Sequence, residues 1–443
     1  MIAKSLLQTA KTGIIILLAA VSAKTNGQTP SSITLDEAIQ RALKNSKELQ
    51  VAAIEEKIAE EQHRQTTAIF LPQVNASYSA MVTDNPLNAF GFNLQQQAIT
   101  ANDFNPSLLN HPSATYNLMA MLEVKQPLLN IDMIYQRKAA SRQSELYRYK
   151  KLRTQEYITF ETKKAFMQLQ FAYNAQKVVQ QALATAEAVY DFTQNRYKQG
   201  LIQKSDLLNA QVQVTTLESK LAEASSAILN ASDYLGLIIG KEGNVTYSPI
   251  GSWEDASHTI STQAPDTRSD FLALTKAMEA SQLAVKSSQS SLLPRINAFA
   301  SYQYNNPNLK EFGSGSYLAG VQLSWNLFNG LQTRHQIKER RATYSKLQTQ
   351  LSQQKEQASL EVVKTQRGIN DARVKIAQQK KAVEQSEEAL RILRNRYEKG
   401  LVNTSDILLG QSQLAQQQLG YEQAILERNI AQAYLLFLTE ASN

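Results

Sequence analysis

The chain repeats itself. Residues 195–211 read NRYKQGLIQKSDLLNAQ and residues 395–411 read NRYEKGLVNTSDILLGQ, 200 positions apart. The likeness extends upstream: residues 46–79 align without a gap onto 268–301 at an offset of 222, and LEVKQPLLN at 122–130 matches VQLSWNLFN at 321–329 at an offset of 199. The two offsets differ by 23, so about 23 residues are extra in the first copy, between Ser79 and Leu122. A duplication of this length restricts the fold to two copies of one supersecondary unit. Each copy reads as helix, strand, loop, strand, very long helix, turn, helix. The first occupies 30–239, with strands near 72–82 and 115–128, a long helix at 132–199 and a helix at 205–239. A connector at 240–267 leads to the second copy at 268–443, with strands near 294–304 and 316–328 and helices at 331–399 and 405–439.

The repeated turn is a helix reversing direction. Before it, Leu169, Gln176, Leu183, Tyr190 and Tyr197 recur every seven residues, as do Ile369, Ile376, Val383, Leu390 and Tyr397; such a stripe imposes coiled-coil packing. Gly200 and Gly400 suit the left-handed residue that closes a helix. Ser205 and Ser405 suit the N-cap of the next helix, with Asp206 and Asp406 in its first turn, where the helix dipole favours negative charge. The long helices contain no proline, and near 70 residues at about 1.5 Å each they reach roughly 100 Å.

The strands alternate. Val74, Ala76 and Tyr78 share one side of the first, and Leu118, Ala120 and Leu122 one side of its mate. In copy two Ile296, Ala298 and Tyr302, then Ala319, Val321, Leu323 and Trp325, repeat the pattern; in copy one the other side carries Asn75, Ser77, Ser79 and Met81, and on the mate Asn117, Met119, Met121 and Glu123. Two soluble hairpins with one buried face would give such alternation. So would tilted membrane strands of about ten residues with aromatics near their ends. No other strands are expected for them to pack on, which favours a lipid-facing set. Four strands cannot close a barrel, for which about eight is the practical minimum, so closure must be oligomeric.

The N-terminus carries Lys4 and Lys11 ahead of GIIILLAAV, then Val21–Ser22–Ala23, a secretory signal at 1–23 rather than a membrane span. Removing it lowers the formal charge from +7 to +5, which does not call for nucleic acid. The absence of cysteine excludes disulfides and thiolate chemistry, and His63, His111, His258 and His335 are scattered without ligand spacing, so no metal, cofactor or enzymatic role is expected. Arg137, Lys138, Arg142 and the run 147–153, with Arg334, Lys338, Arg340 and Arg341 in copy two, read either as solvated helix faces or as contacts to lipid headgroups. The extra residues fall in 84–112, which has no Lys, Arg or Glu and suits a cell-surface loop, folded over a mouth or disordered.

The two RYxxGL turns, the LP strand starts and the QPL and WNLF strand ends resemble the outer-membrane efflux protein family, the TolC-like channel-tunnels. The resemblance implies a mainly α fold with a membrane β part: a homotrimer in the outer membrane, four strands per chain in a shared 12-stranded barrel, and a periplasmic α-barrel of long helices. It implies an exit duct serving a tripartite efflux or type I secretion system. The alternative is a secreted coiled-coil scaffold or adhesin without a pore. The turns would lie at the far tip, where Tyr197, Gly200, Asp206, Tyr397, Gly400, Asp406 and Leu409 form a gate. There Arg196, Leu201, Ser205, Arg396, Leu401 and Ser405 meet a periplasmic adaptor and an inner-membrane transporter. Some relatives tie neighbouring helices with an arginine near the turn; Val402 stands at that place here.

Overall fold

The computed structural model describes residues 30–240, 245–253, 264–308 and 313–439. The expected leader at 1–23 and positions 254–263 of the connector, His258 among them, lie outside them. In chain order the elements are β1 Ser31–Thr34, α1 Leu35–Asn45, α2 Lys47–Gln65, β2 Gln73–Thr83, α3 Pro86–Gln95, α4 Pro106–Asn110, β3 Thr115–Leu129 and α5 Ile131–Lys198. There follow α6 Lys204–Ile239, β4 Tyr247–Ile250, α7 Ser269–Ser290, β5 Arg295–Asn306, β6 Ser314–Ser324, α8 Gln332–Glu398 and α9 Thr404–Thr439. The chain divides into two compact units, one of 1–46, 158–259 and 365–434, the other of 47–157, 260–364 and 435–443.

The first unit is mainly helical. Its stripes bury Leu169, Leu235, Ile369 and Ile425 almost completely, and each such side chain contributes about 1.5–3 kcal/mol relative to exposure. Small residues let the helices approach closely: Ala182, Ala186 and Leu217 form one packed cluster with Leu183, Val214 and Ala415 around them. α6 ends at Gly240, whose φ is 71°. A Cβ there would lie 2.5 Å from Asn45 Cβ, while Asn45 Nδ2 donates to the Ile239 carbonyl at 2.9 Å. Glycine is required on both grounds.

One feature corrects the expectation that strands are confined to the two hairpins. β1 and β4 pair in parallel, Ser31 opposite Tyr247 through Thr34 opposite Ile250. The ribbon is tied to the helices: Tyr247 N–H donates to Ser232 Oγ at 2.8 Å and the Tyr173 hydroxyl donates to the Tyr247 carbonyl at 3.1 Å. Just beyond it, the Trp253 indole donates to Glu422 at 2.6 Å.

The second unit contains a four-stranded antiparallel sheet in the order β2-β3-β5-β6. β3 and β5 come from different repeats, so the duplicated hairpins join side by side. Their ladder shifts between Pro127 and Leu129, where proline has no N–H to donate. β6 ends at Ser324, short of the expected 328, so Trp325 lies beyond the strand, its indole donating to the Leu292 carbonyl at 2.9 Å. Among the described residues, the outer edges of β2 and β6 have no partner strand.

Candidate gate and membrane face

Both repeated turns close by the same backbone device. Gly200 and Gly400 each have a φ of 73°. Gly200 N–H donates to the Tyr197 carbonyl and Leu201 N–H to the Arg196 carbonyl, at 2.9 and 3.0 Å; Gly400 and Leu401 repeat this with Tyr397 and Arg396, both at 2.9 Å. This paired closure satisfies the orphan carbonyls at a helix end and needs a left-handed residue. The next helices begin one residue earlier than expected, at Lys204 and Thr404, so Ser205 and Ser405 lie within the first turn and are not N-caps. The carboxylates do the capping: Asp206 Oδ2 accepts from Gln203 N–H at 3.4 Å and Asp406 Oδ2 from Asn403 N–H at 3.1 Å.

The two hairpins are alike in sequence and unlike in environment. Tyr397 is 4% exposed, whereas Tyr197 is 38% exposed. The Tyr397 hydroxyl lies 2.6 Å from Thr193 Oγ1 and 3.0 Å from Thr404 Oγ1, and its ring centroid sits 5.3 Å from that of Phe192. Val189, Ala210, Ile407 and Leu408 complete this cluster, with Val402 packed against it. Leu408 is buried while its counterpart Leu208 is exposed. Arg196 Nη1 donates to the Tyr397 carbonyl at 3.2 Å, and the guanidinium also lies 5.6 Å from the Phe192 ring centroid. Arg196, which the resemblance puts among the adaptor-contacting tip residues, ties one hairpin to the other, while Arg396 is exposed. Gln411 adds a second tie by donating to the Ala182 carbonyl. Asp406 and Leu409 both remain exposed at the start of α9, and Leu201 and Leu401 project from the turns.

In the sheet, the register gathers the alternating apolar residues on one face. Ala76, Leu122, Tyr302 and Tyr317 form one cross-strand row, and Val74, Val124, Ala300 and Ala319 the next. Tyr78 with Ala120, Ala80 with Leu118, Ala298 with Val321 and Ile296 with Leu323 extend the same face. Most of these side chains are solvent-exposed in the chain, Tyr78, Val321 and Leu323 at over 60%. The opposite face carries Ser77, Ser301, Gln303, Ser316 and Gln322, plus a Glu123–Lys125 pair at 2.9 Å. No helix among the described residues is long and apolar enough to cross a membrane. The sheet instead exposes a continuous apolar face.

Several of the basic residues of copy one are paired within the chain, while Arg334, Lys338 and Arg341 of copy two are exposed. Arg142 pairs with Glu145 and Glu279, Lys151 with Glu56 and Arg153 with Glu156. Arg153 also lies 3.6 Å from the Phe437 ring centroid, and Arg137 lies 5.2 Å from that of Phe70. Burial raises the pKa of the Glu145 carboxyl, but Lys276 and Arg142 outweigh it and hold the group below the ordinary carboxylate value. No group of His, Asp or Glu arranged to hold a metal occurs among the described residues.

The family model for outer membrane efflux proteins matches residues 38–241 and 260–439. The chain belongs to that family. It is therefore an outer-membrane protein, and its fold is that of solved efflux channels. It superposes on CusC with a TM-score of 0.79 at 16% identity, covering 91% of this chain and 92% of that one. VceC from Vibrio cholerae gives 0.75 at 19%, covering 91% and 95%, and CmeC from Campylobacter jejuni gives 0.78 at 15%, covering 92% and 87%. Among curated proteins, none matches the chain by sequence.

Proposed function

We propose that this chain is the outer-membrane exit duct of a tripartite efflux or type I secretion system, built as a homotrimer. The observation that carries the reading is the sheet: four strands with one continuous apolar face and two unpartnered edges. Exposed apolar surface of this extent is costly in water, and open strand edges seek partners. Three copies joined edge to edge, β6 of one to β2 of the next, give twelve strands, a closed barrel whose outer face meets lipid and whose polar face lines a passage. The alternation supports Val74, Ala76, Tyr78, Leu118, Ala120, Leu122, Ile296, Ala298, Tyr302, Ala319, Val321 and Leu323 as lipid-facing.

The periplasmic end is the proposed gate. Three copies of Asp406 form a carboxylate ring and three of Leu409 an apolar one, so cations are attracted where wetting is resisted. Arg196 and Tyr397 hold each chain's hairpins together in the closed arrangement. Gly200 and Gly400 close the turns of the gate, and Leu201, Leu401, Ser205, Ser405 and Arg396 form the tip that meets the adaptor and, with it, the inner-membrane transporter. Oligomeric state in detergent and conductance in planar bilayers test this: a trimer that passes ions is expected. A stable monomer that needs no detergent would return the chain to a coiled-coil scaffold or adhesin.

A further inference from the structure

The residues that are extra in the first copy have no counterpart in the second, so neither a turn nor a strand explains them. They form a compact body of α3, a single 3-10 turn at Ala101–Phe104, and α4. Asn85 and Asn105 cap the two helices ahead of Pro86 and Pro106. Thr100 and Asp103 close a capping box in between, and Phe90 packs edge-on to Phe104 at 5.8 Å. This body is docked on the polar face of the sheet. Gln96 Nε2 donates to the Tyr116 carbonyl at 2.7 Å and to Asn117 Oδ1 at 3.0 Å, and Ser314 Oγ donates to the Gln96 carbonyl at 2.9 Å. Asn117 Nδ2 in turn donates to Asn305 Oδ1 at 3.0 Å. Asn117 and Asn305 are 0% exposed, while Tyr116, one residue away on the apolar face, is 59% exposed.

Accepting the exit-duct reading, on which this rests, the polar face lines the passage. We infer that residues 84–112 are a lid over the outer mouth, latched to the barrel wall by Gln96. Three features fit a latch rather than a fixed plug. The contacts to the wall are neutral hydrogen bonds, which exchange readily with water and cost little net free energy to break. Asn305 Nδ2 is buried with no partner in the closed position, so opening relieves an unsatisfied donor. Gln97, next to the latch, holds a φ of 53°, a left-handed conformation that a non-glycine residue leaves readily once its surroundings release it. The lid carries no Lys, Arg or Glu, and its charged side chains are Asp84 and Asp103.

The cysteine-free chain allows a clean test by labelling intact cells with a membrane-impermeant maleimide. Leu87→Cys, at an exposed lid position, reports access from outside; Val321→Cys, on the apolar face, reports burial in lipid; Asn305→Cys reports the space under the lid and keeps all three contacts of Gln96. Asn305→Cys should react at least about tenfold more slowly than Leu87→Cys, and adding Gln96→Ala should raise its rate about fivefold or more, as expected when opening limits access. Ser314→Ala, which removes one bond, should raise it less. If Asn305→Cys reacts as fast as Leu87→Cys, or Gln96→Ala leaves its rate unchanged, the lid is refuted while the duct stands. If Val321→Cys reacts, or Leu87→Cys does not, the exit-duct reading itself fails.

Discussion

Ala120 and Met121 are neighbours at the same depth of β3 and point to opposite faces of the sheet. Ala120 sits opposite Tyr78 and Tyr304, and Met121 opposite Ser77 and Gln303. An arginine on the lipid side near the bilayer midplane costs roughly 2–4 kcal/mol, whereas lumenal substitutions are tolerated. At about 1.4 kcal/mol per factor of ten, Ala120→Arg lowers the assembly constant roughly 30- to 1000-fold per chain. Three copies in one barrel would multiply to roughly 6–12 kcal/mol if they add. Met121→Arg projects on the polar face beside Glu123, which already pairs with Lys125 and can share its carboxylate, and should cost under about 1 kcal/mol. The assay is the fraction of heat-sensitive trimer recovered from outer membranes at matched expression. Ala120→Arg should abolish most of it and Met121→Arg should leave it near wild type. Equal loss in both, or greater loss in Met121→Arg, would refute the assignment of faces. Asn117→Arg, which alternation alone suggests as the lumenal control, is unsuitable because Asn117 is fully buried beneath the lid.

Tyr397→Phe leaves the buried Thr404 hydroxyl without its partner and should cost about 1–2 kcal/mol of stability, against under about 0.5 for Tyr197→Phe; thermal unfolding in detergent separates the two. At the gate, Asp406→Asn removes the charge while keeping an acceptor for Asn403 N–H, so single-channel recordings should show reduced cation selectivity without loss of trimer; Leu409→Asp should add a second acidic ring and strengthen block by trivalent cations. Burial raises the Asp270 pKa, but its hydrogen bond and charge interaction with Arg268, aided by the Arg153 charge and Phe271 N–H, hold it below its ordinary 3.8. A depressed pKa gives stability that is complete above the unfolded value and lost as pH falls through the folded one, so unfolding midpoints should drop below about pH 4. That acid-dependent drop should shrink in Asp270→Asn, which also strands the buried Arg268 and lowers stability at neutral pH by about 3–5 kcal/mol.

The turns and the apolar face were legible because each is a local rule written in few residues. A left-handed closure needs glycine at one position, and strand side chains alternate with period two. The expected N-caps at Ser205 and Ser405 lie two residues past the position that caps, because a serine–aspartate pair offers two capping modes, and here the aspartate reaches back to Gln203 and Asn403. The β1–β4 ribbon was invisible for a different reason. Its strands have four residues each and lie more than 200 positions apart, so neither shows a period. The helices of the lid did carry a signal, asparagine followed by proline at 85–86 and 105–106, an N-cap with proline at the first helical position.

The difference between Tyr197 and Tyr397 is of another kind, because no local pattern separates two tyrosines in nearly identical sequences. What separates them is a partner: hairpin two lies against Val189, Thr193 and Arg196 of hairpin one, and among the described residues the matching surface of hairpin one is left exposed at Tyr197 and Leu208. Duplication makes the two surfaces alike, so a second copy of the chain can offer hairpin one the same kind of contact. Repeated around three chains, the exposed half of each pair is covered and the ring closes without a free end, as a rotationally symmetric assembly requires. The contacts within a chain and those between chains need not be equal in strength. Within the chain, Arg196 and the Tyr397 hydroxyl add directional hydrogen bonds to an apolar cluster that buries Leu408, while Leu208 at the matching place in hairpin one is exposed. Hydrogen bonds hold one geometry, so in the proposed trimer the tie from Arg196 and the Tyr397 hydroxyl keeps the two hairpins of one chain together as the tip opens.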